Sequence, residues 1–314
     1  MPAESNCPEI SVIIPSYNES ESIPELCSAI DEVLGDHVSG DYEIILIDDG
    51  SDDDTYSVIT GIRQQIPQIR YVQFRRNYGK AAALMEGFKR AEGKYVITMD
   101  ADLQDDPREI PDLVELLQNG YDLVSGWKKE RKDPLSKKIP SRLFNAVTRW
   151  TTGIPIHDFN CGLKAYRKEV VKNVSIHGEL HRYIPVVAHF MGYKVTEKVV
   201  RHHPRLYGKT KYGIARFFRG FFDFITVLFL SRYTKRPMHF FGMGGLILTT
   251  FGVIINVYLA IYWLAGGRLS NRPLLFLGVL LVIVGVQLFS IGLLGEMLAY
   301  SNRDRDKPQI RSEV

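Results

Sequence analysis

Hydrophobic and polar positions along this chain fall into three regimes. In the first, short apolar runs at Ile10 to Ile14, Tyr42 to Ile47, Ile69 to Phe74, Tyr95 to Met99 and Leu123 to Ser125 read as strands. Between them lie segments of helical period: Leu26 to Leu34 with Ser22 placed to cap it, a helix begun by Asp53 or Asp54 and running to Gln65, Gly79 to Ala91, and Pro111 to Gln118. Short strands alternating with helices of this length predict βαβ units and a mostly parallel sheet. After Gly126 the pattern loosens. A basic loop (Lys128 to Lys138), a helix (Pro140 to Trp150), a loop (Ile154 to Gly162), a strand (Leu163 to Tyr166), a helix (Arg182 to Met191) and a strand (Lys194 to Val200) follow.

The last regime is apolar. Phe240 to Leu264 and Pro273 to Gly295 contain no charged residue, and each exceeds the roughly 20 residues needed to cross a bilayer core. Two buried helices of a large soluble core are the competing reading. Before the first run, Tyr212 to Leu230 places Phe217, Phe218, Phe221, Phe222, Phe224, Ile225, Leu228 and Phe229 against a polar stripe of Arg216, Arg219, Asp223 and Thr226. That pattern reads as an amphipathic helix lying in a membrane interface, with packing against the soluble domain as the alternative. The divisions expected are a catalytic domain over 1–205, an acceptor loop and juxtamembrane helix over 206–236, a two-helix hairpin over 237–300 and a tail over 301–314.

Charge sharpens this picture. The net charge of +3 says little, but Lys209, Lys211, Arg216, Arg219, Arg232, Lys235 and Arg236 crowd the approach to the first run. Arg303, Arg305, Lys307 and Arg311 follow the second, whereas the intervening loop carries only Arg268 and Arg272. The positive-inside bias predicts both termini in the cytoplasm and the short loop outside. Attraction to anionic lipid accounts for these basic residues, so no nucleic-acid partner is expected. The first residues have neither a basic stretch nor an apolar core, which argues against a cleaved signal peptide. Cys7, Cys27 and Cys161 are odd in number and form no C-x-x-C, which fits a reducing compartment and neither a disulfide framework nor a zinc site.

The candidate chemistry lies in two acidic clusters, Asp48-Asp49-Gly50-Ser51 and Asp100-Ala101-Asp102, each following a strand. Carboxylates at the carboxyl ends of parallel strands face the crevice where open α/β sheets bind ligands. Asp-x-Asp off an extended backbone sends both side chains the same way. Two such carboxylates suit a hard divalent cation that takes its remaining ligands from substrate phosphates. Capping of the following helix is the plainer reading, and it accounts well for Asp53. It needs one acceptor, not a pair. Pro15-Ser16-Tyr17-Asn18-Glu19 follows the first strand in place of G-x-G-x-x-G, which removes the main support for a dinucleotide-binding dehydrogenase. His177-Gly178-Glu179-Leu180-His181 spaces two histidines at i and i+4 but is not HExxH, too few ligands for zinc.

Ser11 to Glu19, Ile47 to Ser51 with Asp53 and Thr55, and Asp100-Ala101-Asp102-Leu103-Gln104, in that order, resemble the inverting family-2 glycosyltransferases of GT-A fold. Within these the chain resembles the polyprenyl-phosphate glycosyltransferases, relatives of dolichol-phosphate mannose synthase. Two apolar runs ending in Leu294-Gly295-Glu296 are similar to the bacterial bactoprenol glucosyltransferase branch. The resemblance implies a Rossmann-like GT-A domain and a divalent metal, Mg²⁺ or Mn²⁺, on Asp102 and Gln104. It implies a donor site of Pro15, Tyr17, Asn18, Glu19, Asp48, Asp49, Lys80, Asp100 and Ala101, with Asp100, Asp102 and Asp158 as catalytic residues. Asp48 or Asp49 would accept a hydrogen bond from the base or ribose. Asp158 would orient groups more than abstract a proton, or serve as an Asx-turn residue, because a phosphate nucleophile is already ionised. Arg131, Arg142, Arg205 and Lys209 are the cationic candidates for the acceptor phosphate, since Arg suits bidentate phosphate contact. Arg149-Trp150 lacks the Gln of a processive synthase motif, Ala146 standing in its place.

The activity that the resemblance implies is transfer of glucose from UDP-glucose to undecaprenyl phosphate with anomeric inversion, by a homo-oligomer in the inner membrane of a bacterium. The alternatives are another donor sugar (mannose, GlcNAc or an amino-arabinose) and a non-catalytic, membrane-anchored nucleotide-sugar-binding protein.

Overall fold

The computed structural model describes residues 8–37, 41–129, 145–150, 152–174, 180–204, 237–268 and 273–301. The chain separates into two compact units, Met1–Val227 and Leu228–Val314.

The first unit is built on one seven-stranded sheet. Its strands are β1 (Ile10–Ser16), β2 (Tyr42–Asp48), β3 (Ile69–Gln73), β4 (Tyr95–Thr98), β5 (Leu123–Trp127), β6 (Lys164–Arg167) and β7 (Val195–Val199), in the order β3-β2-β1-β4-β6-β5-β7. All pairings are parallel except those of β6, which runs antiparallel to β4 and β5. The helices are α1 (Ile23–His37), α2 (Thr55–Ile62), α3 (Lys80–Arg90), α4 (Ile110–Gln118), α5 (Lys168–Asn173) and α6 (Ile184–Phe190).

Strand alternation builds two cores. Ile10, Val12 and Ile14 of β1 and Ile44 and Leu46 of β2 pack with Leu26 and Ile30 of α1 and Leu113 and Leu117 of α4. Ile13, Ile45 and Ile47 face the other way, onto Leu84 and Phe88 of α3, Val170 of α5 and Ile184 of α6. A sheet apolar on both faces and covered on both is what the continuous Ile/Val runs require.

Most expected elements are present, with ends shifted by a few residues. The first helix begins at Ile23, directly after Ser22 as expected, with Pro24 tolerated in a first turn whose N–H groups lack partners, and it runs beyond Leu34 to His37. The helix expected to run to Gln65 stops at Ile62. The helix expected over Arg182 to Met191 divides into a 3₁₀ turn, Leu180–Tyr183, and α6, where Pro185 sits at the helix start. Helix α5 was not foreseen. It is six residues long and holds only Val170 and Val171 as buried anchors, too little for a periodic signal. Of the helix expected over Pro140 to Trp150, residues 145–150 are described and helical. The amphipathic helix expected over Tyr212 to Leu230 lies outside the described residues, as do Cys7 and His177. Cys27 and Cys161 are buried free thiols, and burial pushes both up to about 12.

The second unit contains α7 (Pro237–Leu264) and α8 (Pro273–Ser301). Both are long and apolar enough to cross a membrane, with mean hydropathy 1.9 over Met238–Leu264 and 2.7 over Pro273–Leu298. Their outer surfaces expose Phe251, Ile254, Ile261, Phe276 and Leu280, a surface lipid satisfies and water does not. Against each other the helices touch through glycines. A Cβ at Gly245 would lie 2.5 Å from the Gly285 carbonyl oxygen, and one at Gly252 would lie 2.8 Å from that of Gly278. Small residues that let backbones meet are how helices pack where no hydrophobic force drives them together. The Met238 N–H at the start of α7 donates to Glu296 of α8 at 3.3 Å, so the carboxylate sits where the helix dipole favours an anion.

Candidate active site

The sheet order 3-2-1-4 puts a topological switch point between β1 and β4, with a crevice outside their carboxyl ends. Three expected loops meet there. Asn18 donates from its backbone N–H to Ser51 Oγ at 2.9 Å and from Nδ2 to Asp52 at 2.6 Å, and Asp52 returns its N–H to Asn18 Oδ1 at 3.1 Å. Asn18 adopts a left-handed φ of 55°, a conformation Asn tolerates better than most residues. The Asp49 N–H donates to Ser16 at 2.8 Å. The Pro15 to Glu19 turn and the Asp48 cluster are therefore one hydrogen-bonded wall.

Within that wall, both carboxylates of the first cluster are engaged by protein. Asp48 is fully buried. Its Oδ1 accepts from the Ser51 N–H at 2.8 Å and hydroxyl at 2.6 Å, and its Oδ2 from Tyr71 at 2.7 Å and Gln73 at 3.1 Å. Asp49 accepts the backbone N–H groups of Tyr78 at 2.7 Å and Gly79 at 2.9 Å. Burial pushes the Asp49 carboxyl above its usual value despite those bonds, with Asp48 adding to the rise. Gly50 (φ 76°) and Gly79 (φ 91°) supply the left-handed turns, and a Cβ at Gly50 would also strike the backbone of Arg76 at 2.5 Å.

The second cluster is built differently from expectation. Strand β4 ends at Thr98, so Asp100 and Asp102 do not leave an extended backbone side by side. They lie in a turn in which Leu103 takes φ 58°, a sparsely populated conformation of the kind that collects at functional sites. Lys80, at the first position of α3, forms an ion pair with Asp100, and both side chains are about one-third exposed. Burial would raise the Asp100 carboxyl. The charges of Lys80 and Lys128 and the Lys80 hydrogen bond outweigh that and hold it well below the usual carboxylate range. Asp102 is buried, and its Oδ1 faces the Gln104 N–H at 3.3 Å. Asp106, not Asp100 or Asp102, caps the following 3₁₀ turn by accepting from the Arg108 N–H. Ala101 is buried between the two.

The antiparallel course of β6 brings the Asp158 loop to the crevice. Thr98 pairs with Lys164, so the chain entering β6 passes the carboxyl end of β4. Thr98 donates to the Gly162 carbonyl at 2.9 Å. A Cβ on Gly162 would meet the Asp100 carboxylate oxygens at 2.6 Å. Asp158 is buried, accepts the Asn160 N–H at 3.1 Å in an Asx turn, and its carbonyl receives Ser125 at 3.2 Å. Glu197 of β7 fixes the same loop, gripping the His157 ring and accepting its backbone N–H at 2.6 Å, while that ring stacks on Trp127.

Two supports around the cluster were not foreseen. Lys128 pairs with the buried Asp105 at 2.7 Å. His203 donates its N–H to the Gln104 carbonyl at 2.9 Å, and its ring lies 3.4 Å from Asp106. The signal for either is a tertiary contact, which spacing does not carry. Arg131, Arg142, Arg205 and Lys209 lie outside the described residues. Among the described residues no three His, Cys, Asp or Glu side chains converge as a metal cage.

Gly162→Ala tests the packing on Asp100. Because the group displaced is the end of a side chain, thermal stability should change little, while activity falls about tenfold as the carboxylate leaves Lys80. In an Asp100→Asn background the same substitution should cost almost nothing, since coupled sites are non-additive. Equal losses in both backgrounds would place the effect elsewhere.

Comparison with known proteins agrees with this architecture. Residues 11–175 match the family model "Glycosyl transferase family 2". The chain is 39% identical over 300 residues to dodecaprenyl-phosphate galacturonate synthase of Rhizobium johnstonii, covering 93% of this chain and 88% of that protein. It is 34% identical over 309 residues to undecaprenyl-phosphate 4-deoxy-4-formamido-L-arabinose transferase of Aeromonas hydrophila, covering 96% and 91%. Glucosyl-3-phosphoglycerate synthase from Mycobacterium tuberculosis, solved with Mn²⁺ and UDP-glucose, shares the fold at TM-score 0.52 and 20% identity, over 71% of this chain and 79% of that one. A GT-A-like sheet, its carboxylate-bearing loops and relatives that align along nearly the whole chain make it a member of glycosyl transferase family 2, in the polyprenyl-phosphate branch.

Proposed function

We propose that this chain transfers a sugar from a nucleoside diphosphate to the phosphate of a long polyprenol, with inversion at the anomeric carbon. The observation that carries this reading is the union, in one chain, of a carboxylate-lined crevice at the sheet switch point with two helices of bilayer length. A lipid acceptor keeps its tail in the bilayer, so its catalyst must be held at the same surface. The relatives' names, a dodecaprenyl-phosphate and an undecaprenyl-phosphate sugar transferase, point the same way.

The described geometry supports a division of labour. The joined loops of Pro15, Tyr17, Asn18 and Glu19 and of Asp48 and Asp49 shape the nucleoside end, with Asp48 and Asp49 acting chiefly through the backbone they hold. Lys80 and Asp100 face the diphosphate and sugar. A phosphate acceptor is already anionic at neutral pH, so no strong base is needed. Asp158, buried with one oxygen on its own loop, suits orientation. Arg131, Arg142, Arg205 and Lys209 are proposed to gather the acceptor phosphate. The donor set fits a hard cation: the Asp102 carboxylate and the Gln104 amide offer oxygen ligands beside the crevice, and Mg²⁺ or Mn²⁺ bound this sparsely takes its other ligands from phosphates. Such an ion supplies counter-charge for the departing diphosphate. The positive-inside bias of the basic flanks supports a catalytic unit on the cytoplasmic face.

Membranes carrying the full chain, given undecaprenyl phosphate and radiolabelled UDP-glucose, UDP-galacturonate or UDP-4-deoxy-4-formamido-L-arabinose, test the reading. One donor should label the extracted lipid. Glucose was expected from the sequence, whereas the two relatives described above are named for the other sugars, so the panel also decides that point. Absence of lipid label from all three donors overturns the reading.

A further inference from the structure

Lys164, His181 and Arg182, none of them given a role above, line one cavity with Lys80 and Asp100. Lys164 opens β6, is 4% exposed, and donates Nζ to the Cys161 carbonyl. His181 and Arg182 come from the 3₁₀ turn before α6, and Arg182 is 9% exposed. Asp100 is the only carboxylate among the described lining residues, and Lys80 already pairs with it. Lys80, Lys164 and Arg182 thus bring three basic side chains to one small cavity.

A second observation points to a ligand. The His181 Nδ1 is buried and has no hydrogen-bond partner within the protein. Buried polar atoms in native structures are nearly always satisfied, and the exceptions call for an ion or a bound group. Burial, joined by the charges of Lys80, Arg182 and Lys164, pushes the imidazole down to about 2, so it enters this field neutral, as a hydrogen-bonding group. The cavity has a volume of about 20 Å³, which admits one water-sized group and no sugar ring.

We infer that Lys164, His181 and Arg182, with Lys80, form an oxyanion subsite of the donor pocket, taking a carboxylate oxygen of the transferred sugar or a phosphoryl oxygen of the diphosphate. This rests on the transferase reading and assigns its donor recognition to residues outside the acidic motifs. Both sources present the same chemistry, a charged oxygen accepting from ammonium, guanidinium and imidazole N–H groups.

Calorimetry on the purified full chain separates the sources. UDP, UDP-glucose and UDP-galacturonate are titrated into wild type, Arg182→Gln, Arg182→Lys and His181→Leu, with thermal unfolding as the control for folding. Arg182→Gln and His181→Leu should each weaken at least UDP-galacturonate about tenfold or more, and Arg182→Lys should recover part of the loss. A loss confined to UDP-galacturonate assigns the subsite to a sugar carboxylate, and an equal loss on all three ligands assigns it to the diphosphate. His181→Leu carries the test alone if the Arg182 variants unfold. Binding within twofold of wild type for all three ligands in folded variants overturns the subsite, as does an effect limited to the KM for undecaprenyl phosphate. A wild-type chain that binds none of the three nucleotides overturns the transferase reading instead.

Discussion

Asp102→Asn should lower sugar transfer by about 10²–10³-fold, the scale of losing one preorganised group that stabilises developing charge, in a chain that still folds. The carboxylate is buried at the crevice, and its Oδ1 accepts the Gln104 N–H at 3.3 Å. An Asn amide oxygen can accept that same bond, so the turn around Leu103 should survive. What disappears is the negative charge that, on the proposed reading, holds a divalent cation against the donor diphosphate. Two measurements accompany the rate. Titration with Mn²⁺ in the presence of UDP should show metal affinity falling by an order of magnitude or more, and UDP affinity without metal should stay near wild type. Thermal unfolding should move little. Full turnover in the variant, or undiminished wild-type turnover in excess chelator, would remove Asp102 from this role. Asp48→Asn should behave oppositely, because four hydrogen bonds converge on that buried carboxylate. Its first consequence should be a loss of stability.

That contrast shows what could be read from residues alone. The acidic clusters were visible because each follows an apolar run, and strand ends in a parallel sheet share one crevice. Their unequal duties were not visible. Whether a carboxylate faces solvent or Tyr71 and Gln73 depends on β3, some twenty residues away. The extended backbone expected across Asp100 to Asp102 is replaced by a turn, since β4 stops at Thr98. The direction of β6 was equally hidden: Leu163 to Tyr166 reads as a strand in either sense, yet only the antiparallel one brings Gly162 and Lys164 beside Asp100. His181 stood out for its spacing from His177, a signal unrelated to its place among three basic side chains. The apolar runs were the most legible part, because length and absence of charge suffice. The glycine contacts between them required the pairing of α7 with α8.

Those contacts carry the second large effect. Gly285→Leu should separate α7 from α8 and leave the full chain aggregating in mild detergent, whereas Gly244→Leu should behave as wild type. A Cβ at Gly285 would lie 2.6 Å from the backbone nitrogen of Thr249 and 2.7 Å from the carbonyl oxygen of Gly245. Both are helical backbone and cannot swing aside. Overpacking a core by a few methylenes already costs about 1–3 kcal/mol, and here an entire isobutyl group meets main chain. In a bilayer, water does not drive such helices together, since lipid solvates their apolar surface as well as a partner does. Close backbone packing, together with the Met238 to Glu296 contact at the helix ends, is what remains. Gly244 sits one residue from Gly245, but a Cβ there meets nothing within 4 Å. Leucine at that position adds an apolar side chain and gains helix propensity over glycine. Size-exclusion profiles after graded heating in detergent provide the comparison, with Gly285→Ala expected between the extremes. Equal behaviour of Gly285→Leu and Gly244→Leu would mean that the glycine seam does not hold the hairpin.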